Sequence, residues 1–276
     1  MAKIYRCFPD GKFKVLTMSY DDGKITDRRL VNLFNDYGIK GTFHLNSGYM
    51  EQNDPVLTLP YEKRIPKEEV KELYKGHEVA CHTVTHPTIS RCPMPQVIEQ
   101  ILEDRKVLES IVDYTVRGFS YPNGSYNNEI KDMLRHVGIE YSRIVGNSDN
   151  FKMPTDYYQW QSTCHHLHNL LEHADEFIGL SKKQYLYMFY VWGHSYEFEK
   201  DNNWEVIEEF CRRIGHRDDI WYATNIEIVD YLKVCDNLKF AADGSFVYNP
   251  SVASAWVVIN DDNIVEIPGG AKVNLK

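Results

Sequence analysis

Two aspartates stand side by side in Ser19-Tyr20-Asp21-Asp22-Gly23, directly after the apolar run Lys14-Val15-Leu16-Thr17-Met18-Ser19. Adjacent carboxylates at the end of an extended run point in different directions. One can therefore ligate a metal while its neighbour acts as a base. The plain alternative is an Asp-Asp-Gly turn. Farther along, His82-Thr83-Val84-Thr85-His86-Pro87 puts two histidines four residues apart. They converge on one ion if the backbone makes a single turn between them; otherwise they are surface or core imidazoles. Cys81 is not a third ligand, because neighbours on a strand face opposite ways. Asp22, His82 and His86 then form a two-histidine, one-carboxylate set that leaves positions open for water and substrate. Two later segments complete the inventory. In Gly118-Phe119-Ser120-Tyr121-Pro122-Asn123-Gly124, Pro and Gly shape a loop whose main-chain N–H can point at a developing oxyanion. In Tyr190-Val191-Trp192-Gly193-His194, a histidine ends a strongly apolar run, a placement that suits a general acid.

Such residues need a scaffold, and the pattern predicts one. Strand-like and helix-like segments alternate through about residue 235. Strands are expected at 14–19, 41–45, 77–81, 116–121, 139–145, 185–192 and 220–223. Helices are expected from Thr26 or Asp27 to Tyr37, and over 67–75, 95–112, 128–136, 168–180 and 204–214, with residues 226–234 closing the series. The first helix carries the stripe Leu30, Leu33, Phe34, Tyr37, and Gly38 sits where a left-handed cap is wanted. Residues 146–184 are the least regular. Alternation of this kind indicates parallel strands with crossover helices. About seven units suit a distorted (β/α) barrel, in which functional residues lie just past the strand C-termini. From Asp236 the texture changes to short β-type runs separated by Asp243-Gly244 and Asn260-Asp261-Asp262-Asn263. The expected organisation is a catalytic barrel over 1–235 and a small β appendage over 236–276.

Composition narrows the partners. Lys and Arg total 31 against 40 Asp and Glu, a formal net charge of -9, which argues against a nucleic-acid partner. No stretch approaches the ~20 apolar residues of a membrane span. Met1-Ala2-Lys3-Ile4-Tyr5-Arg6 has no signal-type apolar stretch, so a cytoplasmic location is expected. Six cysteines show no paired spacing and read as reduced thiols.

Taken in order, the four motifs resemble those of the polysaccharide deacetylase family, the carbohydrate esterases that include the chitin and peptidoglycan N-deacetylases. The family's Thr-Phe-Asp-Asp-Gly corresponds to Ser19-Tyr20-Asp21-Asp22-Gly23, and its His-Ser/Thr-x-x-His to His82-Thr83-Val84-Thr85-His86. Its Arg-x-Pro-x-Gly corresponds to Ser120-Tyr121-Pro122-Asn123-Gly124, and its Leu-x-His to Trp192-Gly193-His194. The resemblance implies a metal-dependent hydrolase that removes an acetyl group from the nitrogen of an amino sugar or oligosaccharide. Asp22, His82 and His86 would hold one divalent ion, zinc first, with Co2+, Ni2+ and Mn2+ also fitting. Asp21 would be the base, His194 the acid, and the N–H of Asn123 an oxyanion donor.

This chain departs from the family at several supporting positions. Ser120 stands where the family has the arginine that holds the base. Arg117 faces the wrong way on its strand, so Arg143, at the end of the neighbouring strand, is the expected substitute. Trp192 replaces a leucine of the acetyl pocket. The family's Asp/Trp motif has only Asp156 and Trp160 as candidates. Tyr121, Trp160, Trp192 and His165 are the expected substrate contacts, His165 coming from the unassigned cluster Thr163-Cys164-His165-His166. Three rival readings stay open: hydrolysis of a non-sugar amide C–N bond, a non-haem iron oxygenase, and a non-catalytic sugar-binding relative.

Overall fold

The computed structural model describes residues 3–50 and 59–275. After strand β1 (Ile4–Cys7) the chain runs β2 (Lys14–Asp21), α1 (Asp27–Asp36), β3 (Gly41–Leu45), α2 (Lys67–Leu73), β4 (Glu78–Cys81), α3 (Met94–Val112) and β5 (Gly118–Ser120). It continues through α4 (Asn128–His136), β6 (Tyr141–Ile144), β7 (Trp160–Gln161), β8 (Cys164–His165), α5 (Leu170–Gly179), β9 (Tyr187–Gly193), α6 (Ser195–Lys200), α7 (Trp204–Ile214), β10 (Ile220–Tyr222) and α8 (Asn225–Asn237). Local chemistry sets the helix limits. Leu30, Val31 and Phe34 bury one face of α1, and Gly38 ends it at φ +65°. Asn127 caps α4 by accepting the N–H of Ile130. Thr224 and Glu227 form a reciprocal capping box at the start of α8.

The strands form one curled parallel sheet in the order β7-β6-β5-β4-β3-β2-β9-β8, with β10 paired to the first half of β2. Every residue of β2 is buried, as expected for a parallel strand covered on both faces. The two ends of this order, β7 and β8, are separated in sequence only by Ser162 and Thr163. The chain itself therefore bridges the last gap, where the described residues show no strand pairing. These two short strands fall in the stretch the sequence pattern left irregular, because two-residue strands carry no periodicity. The expected barrel is present, in this incompletely closed form.

Alternation divides the sheet into an outer face packed under helices and an inner face that is unusually polar. On the inside, Glu78 accepts hydrogen bonds from Tyr141 Oη (2.7 Å), Thr42 Oγ1 (2.9 Å) and the N–H of Ile226 (2.9 Å). Asn225, at the start of α8, accepts from Thr17 Oγ1 and donates to Tyr190 Oη. This network fills the lower half of the barrel and satisfies groups that burial would otherwise penalise.

After α8 come β11 (Lys239–Phe240), β12 (Phe246–Tyr248), β13 (Ala255–Ile259), β14 (Asn263–Ile267) and β15 (Lys272–Asn274). They make two small antiparallel sheets, β11-β12-β15 and β1-β13-β14. The N-terminal strand β1 thus pairs with β13 rather than with the curled sheet. No described helix is long and apolar enough to cross a membrane, and all six cysteines are free thiols.

One close approach supports the inner network. A Cβ on Gly118 would lie 2.1 Å from Tyr141 Oη, the hydroxyl that donates to Glu78. Gly118→Ala must push a fully buried ring off its partner. It should destabilise the fold by about 1–3 kcal/mol, the usual cost of overpacking. Denaturant unfolding measures this, and an unchanged midpoint would show that the Tyr141–Glu78 contact is dispensable.

Candidate active site

All the expected motif residues lie at the C-terminal ends of the parallel strands. Asp21 ends β2, and Asp22 follows in the left-handed region at φ +82°. His82 follows β4. Thr83 at φ +68° and His86 at φ +53° then form the turn that brings the second imidazole back. Ligand atoms of Asp22, His82 and His86 all lie within 4.8 Å of one another, and the two imidazole rings are 4.7 Å apart. Residues outside the motifs hold this turn. Asp104 on α3 accepts the N–H of His82 (3.0 Å) and of Ser47 (2.8 Å). Asn46 donates to the carbonyls of His82 and Thr83. Within the motif itself, Thr83 Oγ1 accepts the N–H of His86.

The donor set fits a divalent ion. His82 Nδ1 lies 2.9 Å from the Ser120 carbonyl and 2.7 Å from Ser120 Oγ. Its proton therefore belongs on Nδ1, leaving the Nε2 lone pair for a metal, the usual second partner of a ligating histidine. Desolvation holds the His82 pKa down at about 3 and lowers that of His86, so both are neutral as ligands must be. Burial opposes ionisation of Asp22, but Arg64, 3.2 Å from Oδ1, leads the charges that outweigh it and keep the carboxylate ionised.

Asp21 is only 3% exposed. Arg143 forms an ion pair with its Oδ2 and donates through Nε to Ser19 Oγ (3.2 Å). Ser120 Oγ donates to Asp21 Oδ1 at 3.2 Å, and His44 Nδ1 lies 3.2 Å from the same oxygen. Burial alone would raise the Asp21 pKa. Arg143, the largest opposing influence, helps hold it well below the ordinary carboxylate range. Ser120 and Arg143 are paired residues on β5 and β6, so the guanidinium reaches across the space a larger residue at 120 would occupy. Arg117, by contrast, pairs with Asp230 and Glu140 on the outside.

His194 follows β9, whose pairing with β2 ends at Tyr20–Gly193. Burial pulls its pKa down, but contact with Glu197 and the fields of Asp22 and Asp21 outweigh this and raise it above 6.5. Glu197 Oε2 is 3.3 Å from His194 Nδ1 and also accepts the His194 main-chain N–H. Trp192 lies over the Arg143 guanidinium (4.5 Å) and edge-on to His165 (4.6 Å), so both reach this wall of the site. Asn123 adopts φ +56° in the loop after β5, and its N–H has no acceptor among the described residues.

Two expected substrate contacts are corrected. Tyr121 follows inward-facing Ser120 and so faces outward; its ring stacks on Tyr126, and its hydroxyl donates to the Tyr158 carbonyl. Trp160 is 1% exposed and packs edge-on against Tyr141 and Tyr190 in the barrel core, out of reach of a ligand. Asp156 accepts the N–H of Tyr158 and pairs with Lys131. The sequence reading also missed His44, Arg64, Asp104 and Glu197. Only Glu197, one helical turn after His194, carried a local signal.

A polysaccharide deacetylase family model matches residues 9–142. A chitooligosaccharide deacetylase of Sinorhizobium fredii is 22% identical over 125 residues, covering 44% of this chain and 53% of the relative. The matches span about half or less of the length of the curated relatives. Among solved structures, a Mycobacterium smegmatis protein assigned to the polysaccharide deacetylases superposes with a TM-score of 0.58 at 14% identity, covering 83% of this chain and 93% of that one. The Xyl-CE4 domain of a multidomain xylanase from the hindgut metagenome of Trinervitermes trinervoides gives 0.53 at 15% identity, covering 81% and 92%. These likenesses establish the shared fold.

Ligation by this donor set is directly measurable. His82→Ala or His86→Ala should cost the purified protein the divalent ion held with Asp22, read by elemental analysis after dialysis. Unchanged occupancy in the double variant would refute the assignment of these ligands.

Proposed function

Starting from a chain that is a relative of the polysaccharide deacetylases, we propose that it is a metal-dependent N-deacetylase acting on an N-acetylated amino sugar or oligosaccharide. The observation that carries this reading is the pairing of opposite electrostatic environments beside one donor set. Asp21 is held ionised next to Asp22, His82 and His86, while His194 is held toward its protonated form. Two titratable groups pushed apart in this way mark the base and the acid of a reaction.

When bound, a divalent ion supplies Lewis acidity: it polarises an amide carbonyl and makes a water acidic enough to attack at neutral pH. The rest of the chemistry belongs to the chain. Asp21 Oδ atoms accept the proton of the attacking water. Arg143 holds the resulting carboxyl in place and keeps it acidic enough to release the proton again. The Asn123 N–H donates to the oxygen as charge develops on it, a contact typically worth ~3–4 kcal/mol of barrier. His194, whose main-chain N–H is held by Glu197, protonates the nitrogen as the C–N bond breaks, because an amine leaves poorly without a proton. Trp192 lines the wall beside His194 and is proposed to contact the acyl group, with His165 edge-on behind its ring.

Acetate release from N-acetylated oligosaccharides by metal-loaded protein tests this reading. Asp21→Asn and His194→Ala should each lower turnover about 100-fold or more, with metal content intact because neither is a ligand. Wild-type turnover in a metal-loaded Asp21→Asn sample would remove Asp21 as the base.

The pH profile gives a second test. Activity should need Asp21 ionised, and its pKa is lowered, so the acid limb should lie below the ordinary carboxylate range. In Arg143→Met, burial of Asp21 is no longer offset by the guanidinium and its pKa rises. The acid limb should therefore move to higher pH, with kcat reduced by about 100-fold. An acid limb that stays in place would show that Arg143 does not set the charge of Asp21.

A further inference from the structure

Beside His194, a single carboxylate oxygen is crowded by nitrogen. Glu197 Oε2 lies 3.1 Å from His165 Nε2, 3.2 Å from His166 Nε2 and 3.3 Å from His194 Nδ1. It also accepts the main-chain N–H of His194 at 3.1 Å. One carboxylate oxygen has about two lone-pair sites, so four N–H groups cannot all donate to it. The buried His166 Nε2 and His194 Nδ1 in fact make no hydrogen bond among the described residues. They approach the oxygen closely without aiming a proton at it.

His166 is the informative residue. Its side chain is 0% exposed and packs against both Tyr20 (5.6 Å) and Phe198 (4.1 Å). Neither ring nitrogen has a hydrogen-bond partner among the described residues. The strand opposite has given up a side chain to admit this ring: a Cβ on Gly193 would lie 2.0 Å from His166 Nδ1. A fully buried imidazole in a purpose-shaped slot, with an open lone pair beside an ionised carboxylate, has the form of a metal ligand. Around a zinc-type ion with bonds of about 2.0–2.1 Å, tetrahedral ligand atoms stand roughly 3.3 Å apart, close to the two spacings from Glu197 Oε2 to the imidazoles.

We propose that His165, His166 and Glu197 form a second divalent-cation site, separate from Asp22, His82 and His86. Two imidazoles and one carboxylate favour a borderline ion such as Zn2+ or Co2+ over Mg2+ or Ca2+. The ion ties the end of β8 to α6, so it clamps the strand bordering the incompletely closed side of the barrel to the helix that begins beside His194. His165 is the adjustable ligand. The Leu167 N–H donates to its Nδ1 at 3.2 Å, so ligation through Nε2 requires the other tautomer and release of that long contact. A third cluster, Asp149 with His168 and His173, does not share these features: Asp149 is half exposed, and its Oδ1 is hydrogen-bonded by both imidazoles.

The test uses the full chain, stripped with chelator and titrated with Zn2+ alone, stoichiometry being read by calorimetry and elemental analysis. Co2+ absorption spectra report the ligand set. Wild-type protein should bind one equivalent more than Glu197→Gln, which keeps the shape of the side chain. His166→Phe, which refills the aromatic stack, should lose the same equivalent. The His82→Ala/His86→Ala variant should retain it, so failure of the first site and failure of this one are told apart. Asp149→Asn should bind as wild type does. Zn2+ uptake by folded Glu197→Gln equal to that of wild type would overturn the proposal, as would loss of the extra equivalent in Asp149→Asn.

Discussion

Asp21 is a carboxylate kept almost entirely from water, and an unpaired charge in that position would not stay ionised. The upper half of the barrel is arranged around this constraint. Arg143 supplies the counter-charge, Ser120 and His44 take up one oxygen, and Ser19 braces the guanidinium. The arginine comes from β6 rather than β5 because the two strands are in register at Ser120 and Arg143. A small residue on one strand leaves a volume that a long residue on the next can fill. Trp192 then covers the guanidinium face, keeping the pair dry and its attraction strong.

The same barrel places an oppositely tuned group close by. His194 lies beyond the end of the next strand, where Glu197 and the two aspartates favour its charged form against burial. Positive charge on one side and carboxylates on the other push the titrations of these two groups apart. Backbone geometry contributes as well. Asp22, Thr83, His86 and Asn123 all have positive φ, an unfavoured state for residues with side chains. Four such residues at one end of the barrel indicate that strain is accepted there, where Asp22 and His86 are brought beside His82. Asp104 and Asn46 offset part of that cost by fixing the main chain of His82.

Much of this was legible in the sequence. The helix and strand order followed from periodicity, since each amphipathic face must be covered and each fully apolar strand buried on both sides. The motif residues could be found because metal ligation and proton transfer restrict residue type and short-range spacing. Arg143 could be inferred from a missing charge at Ser120 and an arginine on the neighbouring strand. Tyr121 and Trp160 were misread because an aromatic residue beside a motif looks the same whether it faces the cleft or the core. Facing depends on the pleat and on which strands pair.

The sequence by itself thus determined the alternating architecture and singled out Asp22, His82 and His86 as a candidate donor set and Asp21 and His194 as catalytic candidates, because these rest on local periodicity and residue chemistry. Only the tertiary structure decided what surrounds them. His44 on β3, Arg64 between β3 and α2, Asp104 on α3 and the imidazoles of His165 and His166 reach the site from segments far apart in the chain. The charge state of a buried group is the sum of all charges and dipoles around it, and that sum exists only once the sheet has curled and brought β2, β6 and β9 to one end of the barrel.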